Sequence, residues 1–217
     1  MTQAGRQPME LFVWTDIDPE HEEDFNRWYD REHMQERVSI PGFRWARRYR
    51  VLSDQARRYL ALYRADGRDV FTSDAYQEAF KHQTDWSNRN FGRMHNTQRR
   101  VLGIPFSKGT GTGGTIGLIS TGVSSLTREA LTAALAAVDQ LNGVIGIRCL
   151  EPDSELSTPL PSEDTTNRKL EAYLVLEATA EPAASKAVQA VLDTLELSRQ
   201  KGLVFSLMWE LRDEDLD

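Results

Sequence analysis

Apolar and polar residues alternate in short runs along this chain, and other stretches carry apolar residues at the three-to-four-residue spacing of a helix. In the first half, this pattern predicts strands and helices in the order βαββαβ. The predicted strands span 10–16, 43–52, 57–65 and 97–103, and the predicted helices span 19–37 and 74–82. The segment 83–96, between the second helix and the fourth strand, reads as irregular.

Capping and turn residues mark the ends of the two helices. Asp18 and Pro19 are typical of a helix start, with Asp18 as the N-cap and Pro19 in the first helical position. Pro41 and Gly42 end that helix, and Ser73 is placed to cap the second one. The helices are therefore predicted from two independent signals, spacing and caps.

The second half repeats the order of the first after a glycine-rich segment, 103–114. Its predicted strands span 115–123, 144–150, 169–178 and 203–212, and its predicted helices span 125–141 and 181–200. Two βαββαβ units in one chain indicate two ferredoxin-like units in tandem. We therefore predict an α+β fold with a first unit at 1–104, a linker at 105–114 and a second unit at 115–217. Because strands such as 57–65 are apolar on both faces, the two sheets should pack face to face in a pseudo-dimeric α/β barrel.

Composition and charge narrow the class of partner. The chain has 217 residues and a formal net charge of −7 at pH 7, which argues against nonspecific binding to nucleic acid. Its one cysteine, Cys149, excludes an internal disulfide framework and suits a reducing compartment. No apolar run approaches the roughly 20 residues that span a bilayer, and the N-terminus lacks the apolar core of a signal peptide. We predict a cytoplasmic protein with a small-molecule substrate and no nucleic-acid or membrane partner, while a homo-oligomer stays open.

The first predicted helix carries the leading candidates for chemistry. Phe25, Tyr29 and His33 are spaced four residues apart, so they share one helical face. The carbonyl groups of a nearby helix end tend to raise the pKa of His33, and burial opposes them, so we expect the imidazole to titrate near neutral pH. His33 is then the candidate acid–base residue and Tyr29 the candidate hydrogen-bond donor to an oxyanion. The alternatives are a histidine bonded to the carbonyl groups of the helix end and a tyrosine in the core.

A second set of candidates lies on the predicted strand 43–52, which is rich in arginine and aromatic residues. Arg48 shares a strand face with Arg44 and Arg50, and we expect it to hold a carboxylate or phenolate of the substrate. The alternative is that these arginines pair with the acidic start of the helix. Arg47 lies on the opposite face, with Trp45 and Tyr49.

The remaining candidates are binding residues. Phe25, Trp28, Trp45 and Tyr49 are expected to form the apolar walls of the pocket. His95 belongs to the segment read as irregular and is expected at the rim of the pocket. No H-E-x-x-H or C-x-x-C spacing occurs in the chain, so we predict no metal site.

Three residue pairs in the first half, Trp28-Tyr29, Glu32-His33 and Pro41-Gly42, resemble the signature of the EthD-like dimeric α/β-barrel proteins. The resemblance implies a mixed superfamily, with cofactor-free monooxygenases, muconolactone isomerases, polyketide cyclases and haem enzymes such as chlorite dismutases and dye-decolourising peroxidases. In several cofactor-free relatives a histidine works in a pocket between sheet and helices. The second half has no histidine and no Glu-His pair, so we expect one pocket, in the first half.

The resemblance and the residue types together suggest an enzyme without a cofactor. It would be a lyase, isomerase or cyclase of aromatic catabolism that acts on a small aromatic or lactone-like organic acid. His33 would move the proton, Tyr29 would stabilise the oxyanion and an arginine would hold the acid. The alternatives are a haem-binding oxidoreductase of the same fold, with His33 or His95 as axial ligand, and a non-catalytic small-molecule-binding protein.

Overall fold

Eight strands and seven α-helices make up the part of the chain that the computed structural model describes, residues 6–54, 57–160 and 163–216. The strands are β1 Met9–Ile17, β2 Phe43–Val51, β3 Tyr59–Ala65, β4 Met94–Gly109, β5 Thr115–Gly122, β6 Val144–Pro152, β7 Ala172–Ala178 and β8 Gly202–Arg212. The helices are α1 Glu22–Trp28, α2 Met34–Val38, α3 Arg68–Thr72, α4 Asp74–Lys81, α5 Asp85–Arg93, α6 Arg128–Val138 and α7 Glu181–Thr194. A π-helical segment, Tyr29–His33, joins α1 to α2 without a break.

All eight strands pair antiparallel in one closed barrel, in the order β1-β3-β2-β8-β5-β7-β6-β4. The four strands of each half are neighbours, and the two sets join along both edges, where β2 pairs with β8 and β4 pairs with β6. The two sets thus form one continuous sheet around a common interior. The predicted α+β class is confirmed, while the tandem of ferredoxin-like units stays a prediction.

The alternation of apolar residues along the strands separates an inner core from two outer ones. All eight strands contribute to the inner core, including Phe12, Leu62, Leu102, Leu118 and Phe205. The outward-facing residues of each half form a second and a third core with the helices of that half. The strands are therefore apolar on both faces because both faces are covered.

One end of the barrel interior is closed by charged residues instead of apolar ones. Glu10 is fully buried and lies 2.6 Å from Arg64 and 2.9 Å from Arg148. Glu177 lies 2.6 Å from Arg148 and 3.3 Å from Arg47, so the ion pairs link five strands. Burial by itself raises the pKa of Glu10, but Arg148 and Arg64 outweigh it and the pKa is lowered.

The segment 83–96, predicted to be irregular, contains a helix. Thr84 caps α5 by accepting a hydrogen bond from the backbone N–H of Ser87 at 3.0 Å. Asn and Gly residues lower the helix propensity of this segment, and the cap together with burial of Ser87 and Asn90 overcomes that. Within the described residues, no helix is long and apolar enough to cross a membrane.

The predicted boundary between the halves also differs from the structure. β4 continues to Gly109, because residues after Gly103 pair with β6, so the predicted linker at 105–114 is strand in its first half. Gly109 ends the strand at a φ of 104°, a conformation that favours glycine. A side chain there would also collide with the backbone of Ile145.

The buried ion pairs predict a large effect of Glu10→Gln on stability. Loss of the carboxylate removes the charged partner of Arg64 and leaves Arg148 with Glu177 alone, so the free energy of unfolding should fall by about 3 kcal/mol. In the folded protein the pKa of Glu10 lies below its ordinary value of 4.5. The difference in unfolding free energy between wild type and Glu10→Gln should therefore be greatest above pH 4.5. It should disappear as the pH falls through the pKa of Glu10 in the folded protein.

Urea unfolding of the two proteins from pH 3 to pH 7 measures this difference. Lys108→Gln is the control, since it breaks an exposed ion pair with Asp139, 2.5 Å long, and should cost far less stability than Glu10→Gln because water screens the pair. An equal cost for the two substitutions would contradict the role given to the buried network.

Candidate functional site

A cavity of about 600 Å³ lies between the outer face of the barrel and the helices of the first half. This volume is within the range of small-molecule sites, about 300–1,000 Å³. Its lining residues are Leu11, Val13, Tyr29, His33, Arg37, Tyr76, Phe80, Lys81, Gln83, Asn88, Phe91, Gly92, Arg99 and Leu160. All of them except Leu160 belong to the first half of the chain. The sequence analysis also expected the pocket in that half.

The π-helical segment determines how His33 enters this cavity. A π-helical turn is wider than an α-helical one, and it brings His33 against Trp28, five residues earlier in the chain. The two rings stack with centroids 4.2 Å apart and planes inclined by 27°. Tyr29 and Phe91 meet the imidazole edge-on at 5.3 Å and 5.6 Å. Local π-helix in an α-helix is frequent at functional sites, and here it fixes the ring between aromatic neighbours.

His33 is electrically neutral in this surrounding. Its side chain is 6% exposed, and burial, followed by the charges of Arg37 and Arg48, holds its pKa well below 6.5. The prediction that His33 titrates near neutral pH is therefore wrong. One reason is that the helix continues to Val38, so its free carbonyl groups do not lie at His33.

The two ring nitrogens of His33 have different surroundings. Nδ1 is buried and has no hydrogen-bond partner in the described part of the chain. A carboxylate oxygen of Glu36 lies 3.6 Å from it, which favours the tautomer that carries its proton on Nδ1. The lone pair of Nε2 is then the one available to a ligand in the cavity.

Tyr29 lies beside His33 on the cavity wall and is 2% exposed. Burial raises the pKa of its phenol, so the hydroxyl stays protonated at neutral pH. The Arg48 guanidinium lies 4.0 Å from the centre of the ring, on the side away from the cavity, and donates a hydrogen bond to Asn26 at 2.7 Å. Arg48 therefore supports Tyr29 from behind and does not reach the cavity, contrary to its predicted role as a substrate anchor.

Phe25 and Trp28 are fully buried and form the layer behind the cavity wall. The indole N–H of Trp28 donates to Ser87 at 3.0 Å, which ties this layer to α5. Neither ring lines the cavity. The imidazole of His33 covers the ring of Trp28. The two residues therefore lie one layer behind the wall that they were predicted to form.

Trp45 and Tyr49 also lie outside the cavity, because the side chains of both point into the barrel. His95 lies at the start of β4, where its Nε2 is 3.2 Å from a carboxylate oxygen of Asp18. This contact engages the residue predicted to cap the first helix, and Asp18 makes no capping hydrogen bond through its side chain. His95 is not part of the cavity wall, so its predicted place at the pocket rim is wrong.

The other arginines of β2 are paired with carboxylates. Arg44 lies 2.6 Å from Asp66, and Arg50 lies 3.5 Å from Glu22 at the start of α1. The contact of Arg50 agrees with the alternative interpretation of the strand, which was pairing with the acidic start of the helix. The partner of Arg44 lies elsewhere, directly after β3. None of the β2 arginines lines the cavity.

Sequence reasoning missed the cationic residues that do line it, Arg37, Lys81 and Arg99. Arg37 follows His33 by one helical turn, a signal that was present in the sequence. Arg99 was assigned to a strand correctly, but its burial and its partners depend on the tertiary structure. Within the described residues, no group of three or more His, Cys, Asp or Glu side chains is arranged to hold a metal ion.

Comparisons with known proteins give structural likeness without sequence likeness. No family model and no curated protein sequence matches the chain. An anthrone oxidase-like protein has a TM-score of 0.66 and 11% identity, with 100% of this chain and 98% of that chain covered. A monooxygenase candidate from Lactobacillus acidophilus has a TM-score of 0.55 and 9% identity, with 96% and 95% covered. A mutant chlorite dismutase from Candidatus Nitrospira defluvii, in complex with cyanide, has a TM-score of 0.53 and 12% identity, with 96% and 92% covered.

These structures are α+β barrel proteins, and at such identities the likeness establishes the fold alone. Each alignment covers nearly all of this chain and nearly all of the compared chain. The barrel part of the predicted resemblance is therefore confirmed, and the more specific EthD-like assignment stays a prediction.

The neutral state of His33 predicts how stability depends on pH. Since its pKa is lower in the folded protein than the ordinary 6.5, the unfolded chain binds more protons as the pH falls below 6.5. Wild type should lose stability in that range, by up to about 1.4 kcal/mol per pH unit from this residue. His33→Gln should remove that contribution.

Urea unfolding between pH 5 and pH 7.5 measures the slope. His82→Gln is the matched control, because the side chain of His82 is 75% exposed, and it should keep the wild-type slope. A wild-type slope in His33→Gln would disprove the assignment of a buried, neutral imidazole.

Proposed function

We propose that this protein is an oxidoreductase that binds a flat aromatic compound in the first-half cavity. The observation that carries the proposal is the cavity wall, where the neutral imidazole of His33 and the protonated phenol of Tyr29 lie side by side among apolar residues. The names of the similar structures support the class, since they include an anthrone oxidase-like protein, a monooxygenase candidate and a chlorite dismutase. They favour oxidation over the lyase, isomerase or cyclase chemistry that the sequence suggested.

We also infer that the chain is a tandem of two ferredoxin-like units of the EthD-like kind, at 1–104 and 115–217. The strand order supports this, because the halves follow the same order around the barrel, β4-β1-β3-β2 and β8-β5-β7-β6. The first unit carries the histidines and the cavity. The second unit closes the barrel and contributes Leu160 to the cavity wall.

In the proposed reaction, His33 removes a proton from a carbon or hydroxyl group of the substrate. A neutral imidazole with its proton on Nδ1 has the Nε2 lone pair for this step, and Glu36 is placed to stabilise the charge that develops on the ring. Tyr29 donates a hydrogen bond to the enolate or phenolate oxygen that forms. Both groups are in the required protonation states before the substrate binds.

Dioxygen is the oxidant in this scheme, and a methylene group beside a carbonyl-conjugated ring serves as the example. After deprotonation, the carbanion forms a C–O bond with dioxygen, and the proton returns from His33 to give a hydroperoxide. Loss of the second hydrogen from that carbon breaks the O–O bond and releases water. The methylene group becomes a carbonyl, with one oxygen atom in the product and the other in water.

Haem binding is a second candidate, because His33 is a neutral histidine with an available nitrogen on the wall of a cavity of about 600 Å³. The residues fit the group: His33 would bind the iron, Glu36 would orient its ring through Nδ1, and the cationic side chains of the wall would pair with the propionates. Bound haem would supply redox chemistry at its iron. His95, the other ligand considered from the sequence, does not line the cavity.

The test of the main proposal is oxygen uptake with anthrone as the probe. Wild-type protein shown to be free of iron should accelerate the uptake, and His33→Gln should lose about 10²–10⁴-fold of that acceleration. The wild-type rate constant should stay level from pH 6.5 to 8, because the free imidazole is already neutral there. His95→Gln is the control and should keep the wild-type rate.

Haem titration separates the two candidates. If haem is the cofactor, stoichiometric haemin should give a Soret band at a shifted position, which His33→Gln should lose and His95→Gln should keep. Oxygen uptake that depends on added haemin would replace the cofactor-free scheme. Absence of uptake with and without haemin, for anthrone and related ring ketones, would refute the oxidoreductase proposal.

A further inference from the structure

We propose that the natural ligand of the first-half cavity is an aromatic carboxylate whose acid group is held by Arg37 and Arg99. The inference deepens the proposed function by naming a class of substrate, but it depends only on the cavity. Binding measurements therefore test it without any turnover.

Charge pairing distinguishes these two arginines from the other buried ones. Six arginines are buried among the described residues: Arg37, Arg47, Arg48, Arg99, Arg100 and Arg148. Four of them have a carboxylate oxygen within 4 Å, namely Arg47 at 3.3 Å, Arg48 at 3.8 Å, Arg100 at 2.5 Å and Arg148 at 2.6 Å. Arg37 and Arg99 have no such partner in the described residues, and both line the same cavity.

The partners of Arg37 are neutral. Its guanidinium donates one hydrogen bond, to the side-chain oxygen of Gln83 at 3.0 Å. Although the residue is only 5% exposed, its remaining N–H groups donate to no described residue. They are available to a ligand in the cavity.

The partners of the Arg99 side chain are neutral as well, and the residue is also 5% exposed. It donates to the Tyr76 hydroxyl at 2.9 Å and to the carbonyl oxygens of Leu156 and Thr158 at 2.9 Å and 3.1 Å. These bonds fix the guanidinium against the cavity wall, while Nε stays without a partner in the described residues. A fixed cation is ready to receive an anion with little further loss of freedom.

A buried charge without a counter-charge is unfavourable, because its desolvation is not offset by an ion pair. Among the residues that the structure describes, the cavity lining contains three cations, with Lys81 as the third, and no carboxylate. An anion in the cavity would give the buried arginines their counter-charge and would balance the positive charge of the lining. The other lining residues are mostly apolar or aromatic, so the rest of the ligand is expected to be an aromatic ring system.

A carboxylate fits this arrangement better than a large polyanion. A guanidinium binds carboxylate oxygens through two parallel hydrogen bonds, and here both candidate guanidiniums already use part of their donors. The remaining donors match a group with two acceptor oxygens, and the apolar walls disfavour a ligand with several charges.

Isothermal titration calorimetry with two matched probes tests the proposal: anthraquinone-2-carboxylate and anthraquinone-2-carboxamide, which differ in charge at one group. Wild type should bind the carboxylate at least about tenfold more tightly than the amide. Arg37→Gln and Arg99→Gln should each weaken carboxylate binding by about tenfold or more and leave amide binding within about twofold. Arg50→Gln, which removes one exposed arginine with the same change in charge, should behave as wild type.

Circular dichroism checks the fold of each variant, and the wild-type comparison of the two probes is decisive even if a variant fails to fold. Equal affinities of wild type for carboxylate and amide would overturn the proposal and leave oxidation of a neutral aromatic compound possible. Tight binding of the carboxylate without oxygen uptake by any ring ketone would support the carboxylate site and count against the oxidoreductase. Failure of both probes to bind would overturn the carboxylate site.

Discussion

Closure of the barrel is the constraint on which the rest of the structure depends. β4 is long enough to pair with β1 through its first part and with β6 through its last part, and β2 meets β8 on the other side. A closed sheet has no free edge, and its small interior is filled by its own side chains. Helices can then pack only on the outer face. The cavity therefore lies where the first-half helices leave space against β1 and β4, outside the barrel.

The same layering explains why a histidine can be kept buried and neutral at this place. Trp28 and Phe25 occupy the layer behind the cavity wall, and the π-helical segment sets the imidazole of His33 on top of them. Arg48 lies under Tyr29 in that layer and contributes positive charge without reaching the cavity. Aromatic packing determines the position of the ring, and burial, followed by the nearby positive charges, keeps the imidazole neutral.

Strand order and helix positions were accessible from the sequence because they depend on local spacing, on caps such as Ser73, and on the repeat of one pattern in both halves. The helix α5 could not be predicted from the sequence, because its weak helix formers are held by a tertiary contact, the hydrogen bond from Trp28 to Ser87. His33 and Tyr29 were found through spacing and resemblance. Arg37 and Arg99 were not predicted to be site residues. What distinguishes them is that they line the cavity while lacking a carboxylate partner in the described part of the chain, and pairing across distant segments cannot be read from residue types.

The proposed carboxylate site and the proposed base are coupled through Arg37, which follows His33 by one turn and is one of the causes of its low pKa. A carboxylate bound to Arg37 offsets that positive charge. The pKa of His33 then rises toward its ordinary value, and the imidazole becomes a stronger base when the substrate is present. In the empty cavity the uncompensated arginine keeps the imidazole weakly basic. The acid group of the ligand would thus both hold the ring system in the cavity and activate the residue that removes its proton.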